Sequence, residues 1–194
     1  MPVMLPVDIT SKHKLHRYQD LIQLFDDTFY QRYNTRLVKG DDEPVYLPSN
    51  AQCDFNQIVF AHGYYASALH EISHWCLAGE ARRKVEDFGY WYEPDGRDQI
   101  QQSAFEQVEI KPQAIEWALC VAANKDFDVS TDNLSGTGIT DRFTFKKRVY
   151  QQVCIYLEQG FPKDAQHFIK TLAEYYKTPW PLLTEYFDYS PVST

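Results

Sequence analysis

The sequence predicts a mostly helical α+β fold for this 194-residue chain, in one domain over residues 1–194. Three observations carry that prediction. Several long segments repeat apolar residues at helical spacing, one short run is rich in β-formers, and no internal repeat or low-complexity stretch divides the chain.

The first helix is expected over residues 14–33, with Leu21, Leu24, Phe25, Thr28 and Phe29 on one side. Residues 34–50 hold Gly40, Asp41, Asp42, Pro44 and Pro48, which predicts a loop with a short extended piece. Gln57-Ile58-Val59-Phe60-Ala61 is apolar and β-branched, so it is expected to be a strand, punctuated by Gly63. A second helix follows over 64–78 and stops at Gly79. Residues 86–98 form an aromatic, Pro- and Gly-containing loop. Residues 99–124 are a long helix with a kink or break expected at Pro112. A polar loop over 131–141 leads to two closing helices, 142–159 and 163–177, separated by Gly160, Phe161 and Pro162.

Composition narrows the function classes. With 19 Lys and Arg against 27 Asp and Glu, the net charge of −8 argues against a nucleic-acid backbone as the main partner. The basic runs Arg82-Arg83-Lys84 and Lys146-Lys147-Arg148 are expected on solvated helix faces. Cys53, Cys76, Cys120 and Cys154 form no CxxC pair, which disfavours a cysteine zinc site. Three of them, Cys76, Cys120 and Cys154, sit among apolar residues, as buried free thiols of a reducing compartment do. Neither a signal peptide nor a membrane span is expected, so the chain is read as cytoplasmic with no membrane partner. The 14 Tyr and 4 Trp exceed what a core needs, and their polar handles suit a pocket wall.

The chemistry concentrates in His70-Glu71-Ile72-Ser73-His74. Residues i and i+4 lie on one helix face, so His70 and His74 can bind one metal ion together. In this H-E-x-x-H pattern Glu71 can act as a base on a metal-bound water. The uncharged flanks Ala68, Leu69, Ile72, Trp75 and Cys76 let the helix lie in the interior with only the ligands polar. A small sheet packed on such a helix would be a zincin-like arrangement.

Two histidines leave a metal under-coordinated, and the helix beginning at 99 offers Glu106, Glu109 and Glu116 as a third ligand. Glu109 is favoured, because Val108, Ile110 and Ala114 surround it and a buried carboxylate needs a partner. Glu106 is the alternative, and Glu116 is expected at the surface. Two His and one carboxylate serve two chemistries. With zinc and water the set hydrolyses peptides; with ferrous iron and open positions it activates dioxygen. The pattern by itself leans toward the peptidase.

Three stretches together point elsewhere. They are Ala68-Leu69-His70-Glu71-Ile72-Ser73-His74-Trp75-Cys76-Leu77-Ala78-Gly79, Gly89-Tyr90-Trp91-Tyr92-Glu93-Pro94-Asp95-Gly96-Arg97 and Phe105-Glu106-Gln107-Val108-Glu109-Ile110-Lys111-Pro112-Gln113-Ala114. In these motifs and their order, over nearly the whole length, the chain resembles the bacterial elongation factor P hydroxylases. The resemblance implies a metal-dependent hydroxylase domain with a divalent metal such as Fe(II). Its partner is elongation factor P, and the implied reaction is oxygen-dependent hydroxylation of a lysine side chain already carrying a β-lysyl extension. A zinc metallopeptidase and a non-catalytic metal-binding adaptor of translation are the competing expectations.

Other residues carry weaker signals. Tyr90, Trp91 and Tyr92 suit the wall of a tunnel for a long aliphatic amine, where Asp95 and Asp98 would pair with its ammonium group. The bland alternative is an aromatic cluster pinning a surface loop. His62 is read as a strand-end residue, with a place near the metal as the alternative. Asp132-Asn133-Leu134-Ser135-Gly136 is read as a polar loop rather than a lid, and His13, His16 and His167 as surface residues.

Overall fold

The computed structural model describes residues 16–87, 95–131, 133, 136–138 and 141–189. Among them are five α-helices and a three-stranded sheet, so the fold is α+β and mostly helical. Helix α1 spans Tyr18–Tyr33 and buries Leu21, Phe25 and Phe29. These positions are four apart and form one stripe. It begins later than the periodicity predicts, because Arg17 is extended and acts as the N-cap.

The sheet holds two strands where the sequence shows one short extended piece. Strand β1 (Thr35–Lys39) and strand β2 (Val45–Leu47) both fall inside the stretch read as a loop with such a piece. They flank β3 (Asn56–Phe60), parallel to β1 and antiparallel to β2. Runs of five and three residues show too little alternation to stand out beside Gly40, Asp41, Asp42 and Pro44. Gly40 is needed where it sits: a Cβ there would meet Val59 Cγ1 at 2.6 Å. Leu37, Ile58 and Phe60 point to the buried face, against α1 and α2.

Strand β3 leads through a tight turn at His62 and Gly63 into α2 (Tyr65–Leu77). Helix α2 buries Tyr65, Ala68, Leu69, Ile72, Ser73, Trp75 and Cys76, and Ser73 satisfies its hydroxyl on Leu69 O at 2.7 Å. The Trp75 ring packs on Phe25, Phe29 and Tyr33 with centroids 5.0 to 5.2 Å apart. A good share of the aromatic excess therefore fills the core between α1, α2 and the last α-helix, Lys163–Tyr176.

Helix α3 (Gln99–Ala122) packs against α2 and against the two closing helices, Arg142–Gln159 and Lys163–Tyr176. It starts with a capping box: the Asp98 carboxylate accepts from Ile100 N and Gln101 N, and Gln101 Oε1 accepts from Asp98 N, all at 2.9 Å. It runs unbroken through Pro112, so of the kink or break expected there the break is absent. Proline removes one backbone hydrogen bond, and packing against three other helices holds the turn together. Helices α4 (Arg142–Gln159) and α5 (Lys163–Tyr176) close the fold at the boundaries the sequence predicts, to within a residue.

The basic runs are more engaged than solvated faces would be. Arg82 pairs with Asp87, Arg83 with Asp164 and Arg148 with Glu106, and Arg83 lies over the Trp75 ring at 3.9 Å. The four cysteines are free, with Cys76 and Cys120 buried and Cys154 half-buried. Among the described residues, no helix is long and apolar enough to cross a membrane.

Candidate metal centre

Helices α2 and α3 meet at one cluster. His70 and His74, one turn apart on α2, turn their Nε2 atoms toward each other at 3.1 Å. Glu109 of α3 faces both: Oε1 is 3.3 Å from His74 Nε2 and Oε2 is 3.7 Å from His70 Nε2. Metal bonds of about 2.0–2.2 Å at tetrahedral or octahedral angles put neighbouring ligand atoms roughly 2.8–3.6 Å apart. The His70–His74 and His74–Glu109 separations fall in that range, and the His70–Glu109 separation lies just beyond it. Glu109 is buried, whereas the two histidines stay partly open to solvent.

Glu116 belongs to the cluster and is not at the surface, as the sequence reading had it. It is 8% exposed, and its Oε2 lies 2.8 Å from His70 Nδ1. A carboxylate on Nδ1 fixes the proton there and turns the Nε2 lone pair inward, the usual support of a metal-binding imidazole. A sequence signal for it exists. Glu109 and Glu116 are seven residues apart, about two helical turns, and so share a face of α3. Glu106 lies roughly 60° round the helix from Glu109 and meets Arg148 of α4 at 3.4 Å.

Charge and burial compete at this cluster. Burial alone would lower the His70 pKa, but the carboxylates of Glu116 and Glu109 raise it to about 10 in the metal-free protein. Burial would raise Glu109, yet His74 and His70 hold it at about 2. An anionic carboxylate facing inward nitrogens is the donor set a divalent cation requires.

Glu71 sits beside this set without joining it. It lines a small cavity of about 30 Å³ with His74, Trp75, Tyr46, Arg83 and Asp87. Arg83 and Asp87 are already paired, with Asp164 and Arg82. No hydrogen bond or ion pair is formed by Glu71 among the described residues. Burial pushes its carboxyl up, and His70 and His74 partly offset that.

The comparisons with known proteins bear on this site. The family model described as elongation factor P hydroxylase matches residues 24–187, which include every residue of the cluster. The chain belongs to the elongation factor P hydroxylase family. A curated relative from Haemophilus influenzae, the elongation factor P lysine hydroxylase, is 52% identical over 173 residues. That match covers 89% of this chain and 97% of the relative.

Within this family member the remaining candidates are scattered. Tyr90, Trp91 and Tyr92 lie outside the described residues. Asp95 is exposed; Asp98 is exposed too and uses Oδ1 to cap α3. His62 is exposed at the turn after β3, with its ring against Tyr64. His16 and His167 are exposed, and His13 lies outside the described residues. Asp132, Leu134 and Ser135 also lie outside them, while Asn133 is tied to Arg97 through Arg97 N at 2.8 Å and Arg97 O at 2.9 Å. Arg97 is fully buried, with its guanidinium over the Phe105 ring and its Nε donating to Gln102 Oε1 at 2.8 Å. The backbone of 136–138 closes on it so tightly that a Cβ at Gly136 would meet Arg97 O at 2.4 Å.

Proposed function

We propose that this protein is a cytoplasmic, metal- and oxygen-dependent hydroxylase acting on the β-lysylated lysine of elongation factor P. The observation that carries the reading is the convergence of His70, His74 and Glu109 in a member of a hydroxylase family. The whole chain serves as one catalytic domain, and its small sheet beside the H-E-x-x-H helix is the zincin-like element. Ferrous iron is the metal of this reading; His70, His74 and Glu109 would hold it, and it would supply dioxygen activation.

The protein's own residues do the rest. Glu116 orients His70, and the buried Glu109 supplies the negative charge that offsets part of the cation. Glu71 is the substrate-orienting group: a carboxylate in a cavity beside His74, without a hydrogen-bond or ion-pair partner among the described residues and suited to an ammonium ion. Tyr90, Trp91 and Tyr92 form the apolar wall for the aliphatic chain, and Asp95 and Asp98 draw the cation toward it. A zinc peptidase would instead use Glu71 as its base; family membership favours the hydroxylase.

The test is intact-mass analysis of β-lysylated elongation factor P after incubation in air with the protein, Fe(II) and excess ascorbate, the two-electron reductant that takes the second oxygen atom to water. A gain of one oxygen that is lost with a chelator is expected. Cleavage of the substrate would establish the peptidase, and an unchanged substrate would favour the adaptor.

A further inference from the structure

We propose that Gln113 is a positioning residue for Glu109, tying the carboxylate to the backbone of the 128–131 segment; this rests on the reading of His70, His74 and Glu109 as metal ligands. Gln113 is fully buried on α3, one turn after Glu109. A primary amide offers one acceptor oxygen and two N–H donors. All three are used. Oε1 accepts from Ser130 N at 3.0 Å, and Nε2 donates to Ser130 O at 2.7 Å and to Glu109 Oε2 at 3.2 Å.

The two bonds to Ser130 settle which way the amide points. Turning it over would set Oε1 against Ser130 O and the Glu109 carboxylate, and Nε2 against Ser130 N, so that every contact became repulsive. The second N–H is therefore aimed at Glu109 by the backbone of another segment. That segment is itself anchored. Arg142, at the start of α4, donates to Val129 O at 2.6 Å, Asp128 Oδ2 at 2.8 Å and Thr131 Oγ1 at 3.1 Å. A glutamate has three side-chain torsions, and holding one carboxylate oxygen fixes the plane that presents Oε1 to His74 and Oε2 to His70. The element that sets the angle of the ligand is thus the 128–131 segment, acting through Gln113.

The test uses the full-length protein, with Co(II) as the probe and visible absorption as the readout. Wild type is expected to bind one Co(II), and E109A to lose tight binding. Q113M keeps the length without the hydrogen bonds and is expected to bind 10- to 100-fold more weakly with an altered Co(II) spectrum. A second measurement needs no variant. In the wild type, the Gln113 side-chain amide protons should be protected from exchange by NMR, and one of them should shift when Zn(II) binds. Q113M that binds Co(II) within twofold of wild type with the same spectrum overturns the inference alone. So do Gln113 amide protons that exchange as fast as those of an exposed glutamine. Wild type that binds no Co(II) overturns the ligand reading, and this inference with it.

Discussion

Metal binding at this centre should displace a proton, and the pH dependence of affinity reads it directly. In the metal-free protein the carboxylates of Glu116 and Glu109 hold the His70 pKa at about 10. A metal needs the Nε2 lone pair, since Nδ1 is committed to Glu116 at 2.8 Å. Below the His70 pKa, each metal bound must therefore release one proton from His70. Affinity then rises with pH by about tenfold per unit, or about 1.4 kcal/mol, which is about a hundredfold between pH 7 and 9. Glu109, held at about 2, is already ionised throughout that window and adds nothing to the slope. The perturbation that isolates the cause is Glu116→Gln. It removes the largest of the charges that raise His70 and leaves those of Glu109 and Glu71, so burial brings the imidazole part of the way down. The variant should bind about 10–100-fold more weakly at pH 9, with a shallower slope than wild type between pH 7 and 9. Chelator competition with Co(II) gives the affinities, and calorimetry in two buffers of different ionisation enthalpy counts the protons. Wild-type affinity that stays flat across that window, with heats independent of buffer, would refute the reasoning.

Four further outcomes are expected. His70→Ala and His74→Ala should each abolish metal binding and hydroxylation, because one histidine and one carboxylate hold a divalent ion weakly; full occupancy in either, measured by metal analysis, would remove the site. Glu71→Gln should keep the metal and leave single-turnover hydroxylation within about tenfold while KM rises. A loss beyond about 10³-fold at unchanged KM would give Glu71 a part in the chemical step. Glu106→Ala should bind metal like wild type and cost about 0–1 kcal/mol, the worth of a partly exposed ion pair with Arg148; loss of the metal would make Glu106 a ligand. Asp98→Ala should lower stability in denaturant titrations by about 1 kcal/mol through the lost α3 cap, whatever it does to KM for the substrate.

The His70–His74 pair was legible because helical geometry is local: four residues along α2 return to the same face whatever the rest of the chain does. The five helices were legible for a related reason, since each carries enough turns to display its buried stripe. Strands β1 and β2 were legible only as one short extended piece, because their partners in β3 are 10 to 21 residues away and three to five residues carry little pattern. The break expected at Pro112 is absent for the opposite reason: the local effect of proline is real, and packing outweighs it.

The sequence by itself determined that one helix presents two imidazoles, and that a second helix rich in glutamate stood ready to complete the set. Which glutamate does so depends on the azimuth of α3, and no residue of α3 sets that angle alone. Packing against α2, α4 and α5 fixes it. It turns Glu109 and Glu116 toward the histidines and Glu106 toward Arg148. The same rotation turned an expected surface residue, Glu116, into the partner of His70, and brought Ser130 within reach of Gln113. Contacts of this kind join residues 17 to 46 positions apart, so only the folded chain decides them.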